Sequence, residues 1–166
     1  MLSTRFVYAL VSTLLIPCVS PADVNIRPGF RMVNRPPGRC GWCALETLAR
    51  HHGIKALYGL VEDYPCTASP EEMTGVLDQL QVHYRLQPPG RLNTTILQWS
   101  CRDGLGAAVG LRTPSASADR HIVTLVDFGP QTVRIIDPND RNQRVCTMTR
   151  EHFLDCWDGF ALVLQP

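Results

Sequence analysis

The sequence predicts an α+β fold, and three observations carry that prediction. Up to about residue 102 the apolar residues recur mostly at three- and four-residue steps. From Ala107 onward they form short runs broken by turn residues, the signature of strands. Helical and strand patterns are largely segregated along the chain rather than alternating, which favours an antiparallel sheet over a parallel one. At 166 residues and 45% apolar content the chain is long enough for one domain with a substantial core.

Residues 23–39 read as extended and loop-like, with Pro36, Pro37 and Gly38 holding the approach to the first helix in a non-helical turn. Cys40, Cys43, Ala44, Thr47, Leu48 and His51 then fall at helical spacing. Arg50 sits in the last turn and Gly53 lies just past it, so a helix is expected over 40–52. Ser69 followed by Pro70, Glu71 and Glu72 marks the start of a second helix, whose apolar stripe is Met73, Val76, Leu77 and Leu80. Residues 82–86 read as a short strand closed by Pro88-Pro89-Gly90. Asn93 is the expected cap of a third helix reaching about Arg102. Residues 107–111, 121–128 and 132–136 read as strands, the last two joined into a hairpin by Gly129-Pro130 and terminated by Asp137-Pro138-Asn139-Asp140. A strand over 144–148, a short helix capped by Thr149 and an apolar strand over 160–164 complete the chain. No internal repeat, low-complexity tract or interdomain linker is present.

Residues 1–22 are set apart as an expected signal peptide. Arg5 supplies the charged start, residues 6–16 are an apolar run of eleven, and Ser20-Pro21-Ala22 places small residues where a signal peptidase reads. The run is too short for a finished transmembrane helix. The expected domain therefore spans 23–166 and is secreted or periplasmic, with no stable membrane span after cleavage; an uncleaved segment would anchor it to the membrane. A lipoprotein reading through Cys18 is disfavoured by the bulky Pro17.

Taking Arg5 from the sixteen basic residues leaves fifteen against fifteen acidic ones, so the domain has no positive field to collect nucleic acid. Arg27, Arg31, Arg35 and Arg39 lie along the proline-rich approach and read either as a solvated arm or as a positive rim near Cys40. Such a rim would favour a thiolate or an acidic substrate. Six cysteines remain after export: Cys40, Cys43, Cys66, Cys101, Cys146 and Cys156. In an oxidising compartment that count reads as three disulfides, or as two bridges at most if one thiol is a free nucleophile.

The chemistry centres on Cys40. A thiol in the first turn of a buried helix faces unpaired N–H groups and the positive end of the helix dipole, which lower its pKa from about 8.5 towards neutrality. A thiol nucleophile also needs a base and a group to orient that base. His121 opens one hairpin strand and Asp137 ends its partner, so pairing brings the two side by side. His51 and His52 lie at the far end of the first helix, and His83 and His152 have no evident acidic or thiol partner.

Cys40-Gly41 followed by Ala44-Leu45 and His52-Gly53 resembles the active-site helix of the papain-like bacteriocin-processing peptidases, which cut double-glycine leader peptides. His121-Ile-Val-Thr-Leu-Val, a turn, then Val133-Arg-Ile-Ile-Asp137-Pro138 is similar to that family's second motif. The segment Phe153…Trp157-Asp-Gly159…Leu162-Val-Leu is similar to its closing one. The resemblance covers most of residues 34–164. It implies a papain-like cysteine peptidase fold and a hydrolase acting on a peptide or protein substrate, a thiol protease with no cofactor and no metal. Cys40 is implied as nucleophile, His121 as base and Asp137 as its orienter. The family carries a glutamine six residues before its cysteine as oxyanion donor; here that position is Asn34, an amide one methylene shorter.

Other readings stay open. Cys40-Gly-Trp-Cys43-Ala also resembles papain itself, in which the second cysteine of Cys-Gly-x-Cys is the nucleophile. Six residues before Cys43 lies Pro37, which has no donor, whereas Gly53, thirteen residues after Cys40, fits the leader-peptidase helix. The C-x-x-C pattern allows a thiol–disulfide oxidoreductase, although Pro-Pro-Gly rather than a strand precedes it. Zinc would need a second pair of ligands at short spacing. An inactive, disulfide-stapled papain-like binding domain is the remaining alternative. Substrate sequence, disulfide connectivity and oligomeric state are not legible.

Overall fold

The computed structural model describes residues 24–35, 37–112 and 120–166. The expected signal peptide, its cleavage site and Cys18 lie outside the described residues. Three helices come first, α1 (Cys40–His52), α2 (Leu60–Asp63) and α3 (Pro70–Gln79), followed by β1 (Tyr84–Gln87) and α4 (Thr95–Arg102). The strands β2 (Ala107–Arg112), β3 (Arg120–Phe128), β4 (Thr132–Ile136) and β5 (Val145–Thr149) follow, then α5 (Arg150–Cys156) and β6 (Trp157–Leu164). The six strands form one antiparallel sheet in the order β1-β6-β2-β3-β4-β5. The α+β class read from the sequence is the fold observed.

The sheet is covered on both faces, which explains why its central strands read as unbroken apolar runs rather than as alternations. Ile122, Val126, Phe160, Leu162 and Leu164 pack with α1, α2 and α3. Val123, Leu125, Val133, Ile135, Ala161 and Val163 turn the other way, onto Leu97 of α4 and Phe153 of α5. Adjacent residues of one strand therefore feed two separate cores, as a period of two requires. Helix α1 lies across β3 and is buried from Cys40 to Ala49, because the sheet covers one side and the α2–α3 segment the other.

That burial includes a charge. Glu46 is 1% exposed, and its carboxylate accepts from Arg50 at 2.6 and 2.9 Å, from Gly59 N–H at 3.1 Å and from Val61 N–H at 3.0 Å. It thus satisfies backbone donors at the start of α2 that the helix itself leaves unpaired. Trp42 stacks on Tyr64 with ring centroids 4.5 Å apart, and its Nε1–H donates to Cys66 O at 3.1 Å. The segment 59–66 is consequently fixed against α1. Sequence reading missed α2, since a four-residue helix held by a distant carboxylate has no periodic signal of its own.

The starts of α4 and β6 differ from the sequence reading, and that of α3 does not. α3 begins as expected, with a capping box in which Ser69 accepts from Glu72 N–H and Glu72 accepts from Ser69 N–H. α4 instead starts after Thr94; Asn93 accepts from Thr95 N–H at 3.0 Å, holding a side-chain turn one residue ahead of the helix. β6 begins at Trp157 rather than Phe160, because Gly159 (φ +93°) lets the strand pass through an irregularity without ending. Gly159 is irreplaceable on a second count: a Cβ there would sit 2.6 Å from Arg91 O.

The disulfide expectation is corrected. Cys40, Cys43, Cys66, Cys101, Cys146 and Cys156 are all free thiols. Three of them, Cys40, Cys43 and Cys101, are buried as small core residues, a common place for a cysteine outside disulfides. The core rests on packing across the two sheet faces and has no bridge among the described residues.

Candidate active site

The first turn of α1 is set by Asn34. Its side-chain oxygen accepts from Arg39 N–H at 2.7 Å, immediately ahead of Cys40. Its Nδ2 donates to Asn139 Oδ1 at 2.8 Å, and its backbone N–H donates to Pro138 O at 2.8 Å. An N–H donor on one side and a carbonyl oxygen on the other fix the amide's orientation. Asn34 therefore ties the start of the helix to the loop after β4. Arg39 secures the same turn from outside by donating to Val61 O at 2.9 Å. Gly41 permits the close approach of neighbouring segments, since a Cβ there would lie 3.0 Å from Ala68 Cβ, 3.2 Å from Ile122 Cδ1 and 3.3 Å from Met73 Sδ.

The β3–β4 hairpin brings its two polar ends against this turn. Thr124 pairs with Ile136, so His121 and Asp137 stand at the same end of the ladder. His121 Nε2 meets Asp137 Oδ1 at 2.8 Å. Asp137 Oδ1 also accepts from Asn139 N–H at 2.8 Å. His121 also shares a side-chain hydrogen bond with Cys40, and Ile122 N–H donates to Cys40 Sγ at 3.4 Å. Cys40, His121, Asp137 and Asn34 are thus brought together, linked into a ring through Asn139. Sequence reading did not single out Asn139; its signal is the Asp-x-Asn spacing, which favours a turn closed on the aspartate side chain.

The electrostatics follow from these partners. Burial pushes the Cys40 thiol up, but the His121 hydrogen bond, the Ile122 N–H, the His121 charge and the Gly41 N–H together bring it below its ordinary value. Burial pulls His121 down, yet its bonds to Asp137 and Cys40 raise it to about 9. Burial would raise Asp137, and the bonds from His121 and Asn139 N–H hold it below the usual carboxylate value. The arrangement favours thiolate, imidazolium and carboxylate in a row. Cys43 is different. Burial, reinforced by the nearby charges of Cys40 and Glu46, pushes it up to about 12, so it stays a neutral thiol.

The arginines of the approach segment divide. Arg31 donates to Ile26 O and to Gln143 O, and Arg39 to Val61 O. Arg27 and Arg35 are exposed and have no side-chain partner among the described residues. Among the histidines outside the site, His52 meets Leu105 O at 2.8 Å at the other end of α1. No group of three or more potential metal ligands occurs among the described residues.

No family model matches the sequence, and no curated protein matches it. Solved structures do. A double-glycine-motif protease from an AMS/PCAT transporter, crystallised in complex with the leader peptide, aligns with a TM-score of 0.63 at 12% identity, covering 87% of this chain and 94% of that one. The peptidase domain of Streptococcus ComA, a bifunctional ABC transporter of a quorum-sensing pathway, aligns with a TM-score of 0.61 at 17% identity, covering 82% and 98%. The expected secreted or periplasmic destination, with its membrane-anchored variant, is corrected against these neighbours, which are peptidase parts of transporters. The destination had rested on Arg5, the run at residues 6–16 and the Ser20-Pro21-Ala22 pattern, and so short an apolar segment has no unique fate. No helix among the described residues is long and apolar enough to cross a membrane. Both of these solved structures are double-glycine-motif peptidase domains, and the chain has their papain-like fold.

Proposed function

We propose that this chain is a cysteine peptidase, hydrolysing a peptide bond with Cys40 as nucleophile. The observation that carries the reading is the contact row Cys40–His121–Asp137, with Asp137 on Nε2 of His121 and Cys40 hydrogen-bonded to the same side chain. Cys40 Sγ attacks the carbonyl carbon, a C–S bond forms, and the carbonyl oxygen becomes an oxyanion. Collapse expels the amine, which takes its proton from His121. A water then gives a proton to His121 and attacks the thioester, releasing the acid and restoring the thiolate. Asp137 holds the imidazole in orientation and stabilises its charge. The oxyanion is received by the Cys40 N–H, one of the first-turn donors that a helix leaves unpaired. The Asn34 N–H not used on Asn139 is the second donor. Asn34 occupies the sequence position of the leader peptidases' glutamine, and its bonds to Arg39 N–H and Asn139 support this role.

A peptide substrate is supported by the neighbour solved with a leader peptide. The oxidoreductase reading gains nothing from the structure, since no strand leads into Cys40 among the described residues, and the disulfide-stapled reading loses its bridges. The direct test is to incubate the chain with a mixed peptide pool and read new termini by mass spectrometry. New termini with the wild type that vanish with Cys40→Ala are expected. The same termini with Cys40→Ala, or none from either protein, would overturn the proposal.

A further inference from the structure

Beside the catalytic row lies an open groove of about 460 Å³ lined by Val33, Asn34, Arg35, Pro37, Asn139 and Arg141. Its polar floor is the Asn34–Asn139 pair, bonded at 2.8 Å. Asn139 donates its own N–H to Asp137, and Asn34 accepts from the N–H of Arg39, the residue ahead of Cys40. The groove's two charged side chains are both positive. Arg35 and Arg141 are exposed and have no side-chain partner among the described residues. The carboxylates nearest in sequence are committed elsewhere: Asp137 accepts from His121 and Asn139 N–H. Asp140 accepts from Asn142 N–H at 3.0 Å and from Arg144 Nε at 3.1 Å. Two uncompensated guanidinium groups on a groove that shares Asn34 and Asn139 with the candidate site are suited to a carboxylate, which each can meet with paired N–H donors.

We infer that Arg35 and Arg141 form a carboxylate-binding subsite, which selects peptides bearing an acidic side chain close to the bond that is cut. The inference rests on the peptidase reading only for what the carboxylate is attached to. The two arginines act on binding and take no part in bond making.

Nuclear magnetic resonance titration of the ¹⁵N-labelled chain tests it with acetyl-Gly-Glu-Gly-amide against acetyl-Gly-Gln-Gly-amide. The Nε–H signals of Arg35 and Arg141 and the side-chain amides of Asn34 and Asn139 should move with the Glu peptide. The Gln peptide should need about threefold more for half-saturation, the size expected of an exposed ion pair. Arg35→Gln and Arg141→Gln should each reduce that preference, with the remaining spectrum confirming an intact fold. Equal half-saturation for the two peptides would overturn the subsite. So would inorganic phosphate moving the same signals equally at the same concentration, since the groove would then be a sink for free anions. Iodoacetamide alkylation of Cys40, with a neutral reagent, should be unchanged within about twofold in both arginine variants. If Cys40 proves unreactive even in the wild type, the peptidase reading fails, while the Glu-to-Gln difference still decides whether the subsite exists.

Discussion

On the Cys40 sulfur, burial and hydrogen bonding act in opposite directions. Removal from water disfavours the thiolate, while His121, Ile122 N–H and Gly41 N–H favour it and prevail. Three residues later Cys43 is buried without such partners and is pushed up to about 12. The choice between the two thiols, open in the sequence, is therefore one of environment. Cys43→Ala should leave peptide hydrolysis within a few-fold of wild type, whereas Cys40→Ala should abolish it; equal loss from both, in steady-state assays of folded protein, would contradict the assignment. Asn34 is the second decisive side chain. Asn34→Asp keeps the acceptor for Arg39 N–H but removes both amide donors and adds negative charge where the oxyanion forms. The rate should fall by about 10²-fold or more, the usual cost of an oxyanion donor, with KM little changed. A rate close to wild type would remove Asn34 from the mechanism. His121, raised to about 9, sets the alkaline side: hydrolysis should decline as pH rises through about 9, when the leaving amine loses its acid. The acid limb comes from protonation of the thiolate, and both limbs belong to the coupled pair rather than to either residue.

Secondary-structure elements hold these side chains through a few long-range bonds. α1 is fixed at its first turn by Asn34 and along its length by Glu46, whose carboxylate joins it to α2. Glu46→Ala leaves the Gly59 and Val61 N–H groups and Arg50 without their acceptor. Arg50 is 31% exposed and is partly rehydrated, so the cost should fall near the lower end for a broken buried ion pair, about 2–3 kcal/mol. Chemical denaturation would measure it, and a change below about 0.5 kcal/mol would show that water replaces the carboxylate readily. Elements whose signal is local were legible in the sequence. α1 announced itself by spacing and Gly53, α3 by Ser69 and Pro70, and the hairpin by two apolar runs around Gly129-Pro130. Those held by distant partners were not. α2 depends on a carboxylate from another helix, and the start of β6 is hidden by Asp158-Gly159, which reads as a break yet passes as an irregular strand.

In the whole molecule, one antiparallel sheet with helices on both faces carries a short polar row at one end of a single hairpin. The site was legible because His121 and Asp137 end two strands that pair, and because Cys40 opens a helix after a proline-rich turn. What remained hidden was how the parts are joined: Asn139 closing on Asp137, Asn34 clasping Asn139, and Ile122 N–H reaching the sulfur all depend on residues far apart in sequence. Cysteine count misled for a similar reason, since six thiols suggest bridges until their burial and free state are seen. The central claim is that this packing turns Cys40 into a thiolate paired with His121. The rate of Cys40 alkylation by iodoacetamide against pH, located by peptide mass spectrometry, tests it most directly. The wild type should react with a midpoint below that of an ordinary thiol and without the alkaline decline expected of hydrolysis, and His121→Ala should move the midpoint upward. A midpoint at the ordinary thiol value, unmoved by His121→Ala, would contradict the account.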